Sequence, residues 1–230
     1  MDLPDQIDTI RYCELEPKAQ RMYEQMRKEC VAELSDEKTV TAANVLAKLL
    51  RLQQITGGFF GEGRRIVQKG RSGKLLVLKE IFEGNVNDAG KKLVIFARFR
   101  PEIAAIEKLL RDMSINYECI HGDIDMSERG GKVKAFQTYP DVKVFVAQLQ
   151  TAGLGITLTA ADTAVFYSLD FSFANYDQAK ARLHRIGQKS NVTNIHLVVK
   201  GTVDTKVMGA LKKKKNVADV VVDGWRKLFE

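Results

Sequence analysis

The sequence has few cysteines, and their positions exclude the frameworks that cysteine pairs build. Cys13, Cys30 and Cys119 are odd in number, widely separated and without a CxxC spacing. This pattern predicts neither a disulfide framework nor a zinc site, and it favours three free thiols in a reducing compartment. The 3 histidines stand singly, with no carboxylate or cysteine at a ligand's spacing. We therefore expect no metal site in this chain.

Long hydrophobic runs are also missing. Residues 93–97, LVIFA, are typical of the longest apolar runs, whereas a helix that spans a bilayer needs about 20 apolar residues. Met1 is followed by Asp2, Pro4 and Asp5 rather than by a basic and then an apolar stretch, so no signal peptide is predicted. We expect a soluble protein without a membrane partner, in the cytoplasm or, in a eukaryotic cell, in the nucleus.

Acidic residues are fewer than basic ones. Lys and Arg total 36 and Asp and Glu total 29, which gives a net charge of +7. Such an excess is compatible with a polyanion such as nucleic acid as the partner. Many soluble proteins carry a similar excess without binding one, so the charge permits this partner without requiring it.

The phosphate-binding loop of nucleotide-binding proteins is missing as well. Residues 70–75 read GRSGKL, which has a different spacing from GxxxxGKS/T and no hydroxyl residue after Lys74. No acidic magnesium-binding pair follows an apolar strand, since Asp36 and Glu37 lie in a polar turn. The chain by itself therefore lacks the groups that position a nucleoside triphosphate.

The first seventy residues show helical periodicity. Pro17 occupies a favoured first-turn position, and apolar side chains recur at every fourth residue from Met22 to Leu34. A leucine cluster at residues 46–50 predicts a second amphipathic helix, and residues 64–69 form either a short strand or a loose linker. We expect a helical region at 1–69 and a larger domain at 70–230.

From Ser72, a candidate helix N-cap, short apolar strands alternate with helices. The predicted strands are 92–97, 117–120, 142–147, 163–168 and 194–199. The predicted helices are 101–113, 126–138 with a capping box at its start, 174–185, and one after Gly201. This alternation predicts an α/β fold, with a parallel sheet covered by helices on both faces. Ligands of such sheets gather at the carboxyl ends of the strands, so we expect a site in the loops after residues 97, 120 and 147.

One candidate site segment is rich in glycine. Residues 153–162 read GLGITLTAAD and follow an apolar strand. Gly153 and Gly155 would let backbone N–H groups approach a phosphate or a ribose, because no Cβ stands in the way. Alone, this spacing is also that of a tight structural turn.

A second candidate segment carries two arginines. Gln178, Arg182 and Arg185 share one face of the predicted helix 174–185, and Gly187 would lie near its C-cap. That face is either a solvated stripe or a pair of guanidiniums converging on a polyphosphate, which needs planar donors of fixed charge.

The two segments together resemble a known family. Residues 178–188, QAKARLHRIGQ, resemble the last conserved motif of the Swi/Snf family of superfamily-two helicase-like ATPases, and residues 153–162 resemble the motif before it. Further similar blocks stand in the family's order and spacing at residues 49–55, 72–75 (SGKL), 94–96 (VIF), 121–123 (HGD) and 127–129 (SER). The chain thus resembles the second RecA-like lobe of such an ATPase, with part of the linker before it.

The resemblance implies a function for the full protein. It implies hydrolysis of ATP, with Mg²⁺, in the cleft between two RecA-like lobes, and movement along duplex DNA. In this chain it implies Arg185 as the arginine finger and Arg182 as its partner. It implies Gln178, Gly153 and Gly155 as residues at the nucleotide, and DNA contacts at Arg98, Arg100, His121, Gly122 and Thr151.

The same resemblance implies that a first lobe binds most of the ATP and Mg²⁺. This chain alone is therefore expected to be inactive, and to be a piece cut from a larger protein rather than a natural half. It departs from the family at residues 148–152, QLQTA, and at residues 97–100, ARFR. Two alternatives stay open: an RNA-directed helicase lobe, which the HRIGQ ending disfavours, and a non-catalytic nucleic-acid-binding lobe.

Overall fold

The computed structural model describes residues 3–36, 40–61, 64–65, 72–222 and 224–229. The helices are α1 (Pro17–Asp36), α2 (Ala42–Thr56), α3 (Gly73–Phe82), α4 (Arg100–Asp112), α5 (Met126–Thr138), α6 (Phe173–Lys180), α7 (Val203–Lys212), α8 (Val217–Val222) and α9 (Arg226–Phe229). The strands are β1 (Gln6–Cys13), β2 (Phe59–Phe60), β3 (Arg64–Arg65), β4 (Leu93–Ala97), β5 (Tyr117–Ile120), β6 (Val144–Gln148), β7 (Thr163–Phe166) and β8 (Val192–Val199). A π-helical turn (Glu83–Asp88) extends α3, and a 3₁₀ turn (Leu149–Leu154) follows β6. Within these ranges, no helix has the length and apolar character to cross a membrane.

Six strands form one sheet in the order β1-β8-β7-β4-β6-β5, and each neighbouring pair is parallel. β2 and β3 pair separately as an antiparallel hairpin. The prediction of a parallel sheet is confirmed, and β5 and α5 have the predicted bounds. Of the predicted strand or linker at 64–69, Arg64–Arg65 form β3, and the remainder lies outside the described residues.

Helices cover both faces of this sheet, as predicted. Alternation along β4 sends Val94 and Phe96 to one face, where they pack with residues of α1, α2, α5, α6 and α7. Leu93 and Ile95 point to the opposite face and pack with α3 and α4. Because both faces of β4 are buried, this strand needs an apolar side chain at every position, which is the pattern that its sequence shows.

The N-terminal segment contributes a strand that the sequence reading missed. β1 pairs with β8 over its whole length and forms one edge of the sheet. Most of its side chains are exposed, and the polar Asp8 bonds to Lys180 and Asn194 of the neighbouring segments. The region before residue 70 therefore belongs in part to the sheet, in addition to carrying the two expected helices.

Local capping residues fix several helix starts. The Thr41 and Ser72 hydroxyls accept hydrogen bonds from the N–H groups of Asn44 and Leu75, at 3.2 and 3.5 Å. Asp125 caps α5, as predicted, but its carboxylate accepts from the Ser127 N–H rather than from that of Glu128. The expected capping box is therefore replaced by a simple cap.

Helix α6 is shorter than predicted, and the chain after it forms i→i−3 bonds, from the Arg182 N–H to the Ala179 carbonyl at 3.1 Å and from the Leu183 N–H to the Lys180 carbonyl at 3.3 Å. It ends at Lys180 rather than at residue 185. The carbonyl of Arg182 accepts from the Leu158 N–H at 2.9 Å, and the carbonyl of Leu183 accepts from Gln188 Nε2 at 3.3 Å. Tertiary hydrogen bonds thus replace helical ones at this point.

The early end of α6 corrects two expectations. Arg182 and Arg185 follow the helix rather than lie on it, so the shared helical face with Gln178 is wrong. Gly187 is not near the C-cap, which is Ala181. Its φ of 103° instead serves a later turn, in a conformation that favours glycine.

A buried ion pair joins five elements of the fold. Lys74 Nζ lies 2.7 Å from Asp204 Oδ2, and the two side chains are 1% and 4% exposed. Lys74 also donates to the carbonyl of Tyr167 at 3.0 Å. Asp204 accepts from the Thr56 hydroxyl at 2.9 Å and from the Val199 N–H at 3.2 Å. The pair therefore links α3 and α7 to α2 and to the ends of β7 and β8.

We expect Asp204→Ala to lower the free energy of unfolding of this chain by about 3–5 kcal/mol, because Lys74 would keep a buried charge without a partner. Equilibrium urea unfolding measures this. The double variant Lys74→Met/Asp204→Leu should recover much of the loss, since it removes both charges. Lys79→Ala is the control: it breaks an exposed pair with Glu83 and should change stability by less than about 1 kcal/mol. Equal stabilities for Asp204→Ala and Lys79→Ala would contradict this account.

Candidate nucleotide and nucleic-acid site

The carboxyl ends of β4, β5 and β6 are tied together by Gln148, the last residue of β6. Its Oε1 accepts from the Gly122 N–H at 3.0 Å, and its Nε2 donates to the carbonyl of Arg98 at 3.3 Å. The three loops singled out in the sequence therefore meet at one edge of the sheet. Gln148 was not among the predicted site residues. Its position at the end of an apolar strand is the sequence signal that could have indicated it.

Two of the expected DNA-contacting side chains are held inside the fold. Arg98 is 11% exposed: it donates to Gln53 Oε1 at 2.9 Å and lies 4.0 Å from the ring centre of Phe171. Burial lowers the pKa of the Arg98 guanidinium, against the attraction of Asp170. Thr151 is 8% exposed and donates to the carbonyl at the end of β6. Both side chains are largely engaged by contacts within the lobe, and their DNA contacts stay expectations from the resemblance.

The other three expected contacts form the exposed rim of this edge. Arg100 is exposed and pairs with Asp123 at 2.8 Å, and Gly122 is exposed beside it. His121 is half-buried, and its Nδ1 has no partner among the described residues. Burial, with help from the Arg100 charge, lowers the pKa of His121. This rim thus offers a cation and a neutral imidazole to a ligand, beside an exposed glycine whose N–H is bonded to Gln148.

Gly155 gives the glycine segment its shape. It follows the 3₁₀ turn that contains Gly153, with a φ of 72°. A Cβ at this position would meet no atom within 4 Å, so the requirement for glycine here is conformational rather than steric. Gly155 therefore directs the chain from the turn after β6 toward Thr157.

Two arginines follow α6, and neither pairs with a carboxylate among the described residues. Arg182 is half-buried, and its Nε has no hydrogen-bond partner in the described part of the chain. Arg185 is exposed, and its Nη1 donates to Thr157 Oγ1 at 3.0 Å. Burial and then the like charge of Arg185 lower the pKa of the Arg182 guanidinium. An anion that contacts both guanidiniums would offset their like charges.

The glycine segment and the arginine segment form one hydrogen-bonded unit. The Leu158 N–H donates to the carbonyl of Arg182 at 2.9 Å. Gln188 Nε2 donates to the carbonyls of Ala161 at 2.9 Å and of Thr159 at 3.5 Å. The two sequence motifs are therefore adjacent in space, and Arg185 bonds to Thr157 in the middle of the first motif.

Gln178 was expected to orient an arginine or the nucleotide, but its side chain is not part of this hydrogen-bonded unit in the described structure. It is exposed on α6 and forms no hydrogen bond with either arginine in the described structure. Its predicted role thus rests on the sequence motif alone.

The groups at this site fit phosphate rather than a metal ion. Two guanidiniums without carboxylate partners, one with an unpaired buried Nε, are donors for phosphate oxygens. No three side chains of His, Cys, Asp or Glu converge anywhere in the described ranges as ligands for a metal ion. A nucleotide's phosphates suit these residues, whereas its Mg²⁺ would need ligands from elsewhere.

Comparison with known proteins identifies the family. Residues 73–187 match the family model described as helicase conserved C-terminal domain. The chain belongs to this family.

Individual relatives narrow the class. The chromatin-remodeling ATPase INO80 of Mycosarcoma maydis is 35% identical over 157 residues, which are 68% of this chain and 8% of that protein. The SWI2/SNF2 ATPase C-terminal domain of Sulfolobus solfataricus aligns with a TM-score of 0.72 and 25% identity, over 96% of this chain and 92% of that chain. The SWI2/SNF2 ATPase core of that organism, in complex with dsDNA, aligns with a TM-score of 0.76 and 29% identity, over 97% of this chain and 47% of that chain.

This chain is a C-terminal RecA-like lobe of the Swi/Snf type, as the sequence motifs predicted. It spans 8–10% of the length of the curated relatives.

A buried carboxyl group supports the edge that carries Arg98 and Arg100. Glu102 is 1% exposed, and its Oε2 accepts from the Phe99 N–H at 3.1 Å and from the Ser168 hydroxyl. Its Oε1 has no partner in the described structure and lies where a Cβ on Gly57 would stand. Burial raises the pKa of Glu102 to about 7.

The raised pKa of Glu102 predicts a pH dependence of stability. In the unfolded chain this carboxyl titrates near ~4.3, so between there and about pH 7 the folded state binds more protons. Its contribution is therefore present below pH ~4 and lost as the pH rises through 7. Glu102→Gln removes this dependence, which is on the order of 3 kcal/mol across that window. Urea unfolding at pH 5, 6, 7 and 8 measures the difference between the two proteins. Parallel stability profiles would contradict the prediction.

Proposed function

We propose that this chain is the second motor lobe of an ATP-dependent double-stranded-DNA translocase or remodelling helicase. The observation that carries this proposal is the pair Arg182 and Arg185, which have no neutralising carboxylate in the described part of the fold. Elsewhere in this fold, buried charges such as Lys74 have close partners. Unneutralised arginines in a lobe of this family are best explained by an anionic ligand that arrives from outside the chain.

In this proposal the arginines act on the phosphates of ATP. Bound ATP with Mg²⁺ supplies the phosphoryl group that is transferred to water, and a first lobe holds most of both. Arg185 donates to the γ-phosphate when the lobes close, and Arg182 holds the second position of the pair. Such donors stabilise charge that develops in the transition state, and they do so only in the closed cleft. Gly153 and Gly155 shape the adjoining loop, and Gln178 orients the nucleotide.

The exposed rim of the carboxyl edge is the proposed DNA contact. Arg100, His121 and Gly122 lie there, and the Arg100 cation would contact a backbone phosphate. A similar ATPase core forms a complex with dsDNA, which supports duplex DNA as the partner. Such a partner places the full protein in the nucleus of a eukaryotic cell and in the cytoplasm of a prokaryotic one.

The other expected partner is a first RecA-like lobe of the same protein. The chain carries neither a phosphate loop nor a magnesium-binding acidic pair in its sequence. Residues 1–69 then serve as the region between the lobes. One part of this region, β1, is a strand of the sheet of the second lobe. Hydrolysis requires both lobes.

We expect Arg185→Ala in the full-length protein to lower DNA-stimulated ATP turnover by about 10³-fold. Arg185→Lys should recover little of this loss, because a lysine is a point charge where a planar fork is needed. Stability should barely change, because Arg185 is exposed and bonds only to Thr157 in the described structure. ATP turnover and melting temperature, measured on the same preparations, provide the test.

Arg111→Ala is the matched control. Arg111 is also exposed and also makes one side-chain hydrogen bond, to the Tyr117 hydroxyl, but it lies at the end of α4 far along the chain from the two motifs. It should leave turnover unchanged. An Arg185→Ala protein that melts several degrees lower but hydrolyses ATP normally would refute the finger assignment.

The two alternative functions give different results in the same assay. An RNA-directed helicase would be stimulated by RNA rather than by duplex DNA. A non-catalytic nucleic-acid-binding lobe would belong to a full-length protein without stimulated turnover.

A further inference from the structure

One hydrogen bond fixes the orientation of the Arg185 side chain, although its exposure and a nearby like charge favour mobility. It is exposed, and the positive charge of Arg182 lies nearby. A long exposed side chain beside a like charge is expected to sample many rotamers and to turn away. The hydrogen bond from Nη1 to Thr157 Oγ1, at 3.0 Å, opposes both effects.

Thr157, which accepts this hydrogen bond, is held in position by its neighbours. Leu158, the next residue, is fully buried, and its N–H bonds to the carbonyl of Arg182. On the other side, Gly155 sets the direction of the chain with its positive φ. Thr157 is half-buried and β-branched, so its χ1 angle has few alternatives. The hydroxyl is therefore presented at a fixed position to the segment that carries both arginines.

We propose that Thr157 is a positioning residue for Arg185: its hydroxyl holds the guanidinium in the orientation in which it meets the nucleotide. The proposal rests on the proposed function of Arg185 and adds the residue that orients the Arg185 side chain. The bond leaves the other guanidinium nitrogens available to phosphate oxygens, because it uses only Nη1. A preorganised donor avoids reorganisation when the lobes close.

The first test needs no activity and uses the isolated chain. We expect the ¹⁵N order parameter of the Arg185 Nε–H group, measured by NMR relaxation, to fall clearly in Thr157→Val and to be retained in Thr157→Ser. The signal is assigned by its loss in Arg185→Lys. Thr159→Val is the matched control, since the Thr159 hydroxyl bonds to Gln137 and not to an arginine. Equal order parameters in wild type and Thr157→Val would overturn the proposal.

The second test measures turnover of the full-length protein. Thr157→Val should lower kcat by about tenfold, less than the loss of the guanidinium itself, and leave KM for ATP and the melting temperature unchanged. Thr157→Ser should recover most of kcat. In an Arg185→Ala background, Thr157→Val should have no further effect, because the group that it positions is gone.

The outcomes separate this proposal from the one on which it rests. If Arg185→Ala lowers turnover and Thr157→Val does not, only the positioning role is wrong. If Thr157→Val lowers turnover equally with and without Arg185, Thr157 acts in another way and the proposal is again overturned. If Arg185→Ala leaves turnover intact, the proposed function and this inference fall together.

Discussion

The ion pair between Lys74 and Asp204 is the constraint on which the arrangement of the lobe depends. Both charges are almost fully buried, so each requires the other and the hydrogen bonds around it. Those bonds come from α2 through Thr56, from the end of β7 through Tyr167, and from the end of β8 through Val199. The N-terminal helices and the sheet are thereby fixed to one another. The carboxyl edge, where the candidate contacts lie, is built on this fixed base.

The charged side chains near the Lys74–Asp204 ion pair have close partners, whereas those at the candidate site have few. Lys74 is neutralised by a carboxylate at 2.7 Å, and Arg98 is bonded to Gln53 and stacked on an aromatic ring. Arg182 and Arg185, in contrast, pair with no carboxylate within the described residues: Arg185 donates to the Thr157 hydroxyl, and the Nε of Arg182 has no partner. An anionic ligand that contacts these two arginines would supply the charge that the described residues do not. The proposed arginine finger follows from this difference in charge pairing rather than from the motif alone.

Much of the fold could be predicted from the sequence, because it depends on local patterns. β5 and α5 have the predicted bounds, since an apolar run and a capped helix are local signals. β1 was missed because an edge strand exposes most of its side chains and so lacks an apolar run. The end of α6 was missed because the bond from Leu158 to the Arg182 carbonyl is tertiary. The bond between Thr157 and Arg185 joins residues 28 positions apart, and no periodicity reports it.

The central claim is that this lobe supplies arginines to a nucleotide that another lobe holds, and the most direct test is ATP turnover by the purified chain alone. We expect turnover at background, with or without duplex DNA, because the chain has no phosphate loop and no acidic pair for Mg²⁺. The same residues joined to a first lobe should show DNA-stimulated turnover. Turnover by the isolated chain that exceeds background and disappears in Arg185→Ala would contradict the account, because it would mean that this lobe holds and hydrolyses ATP by itself.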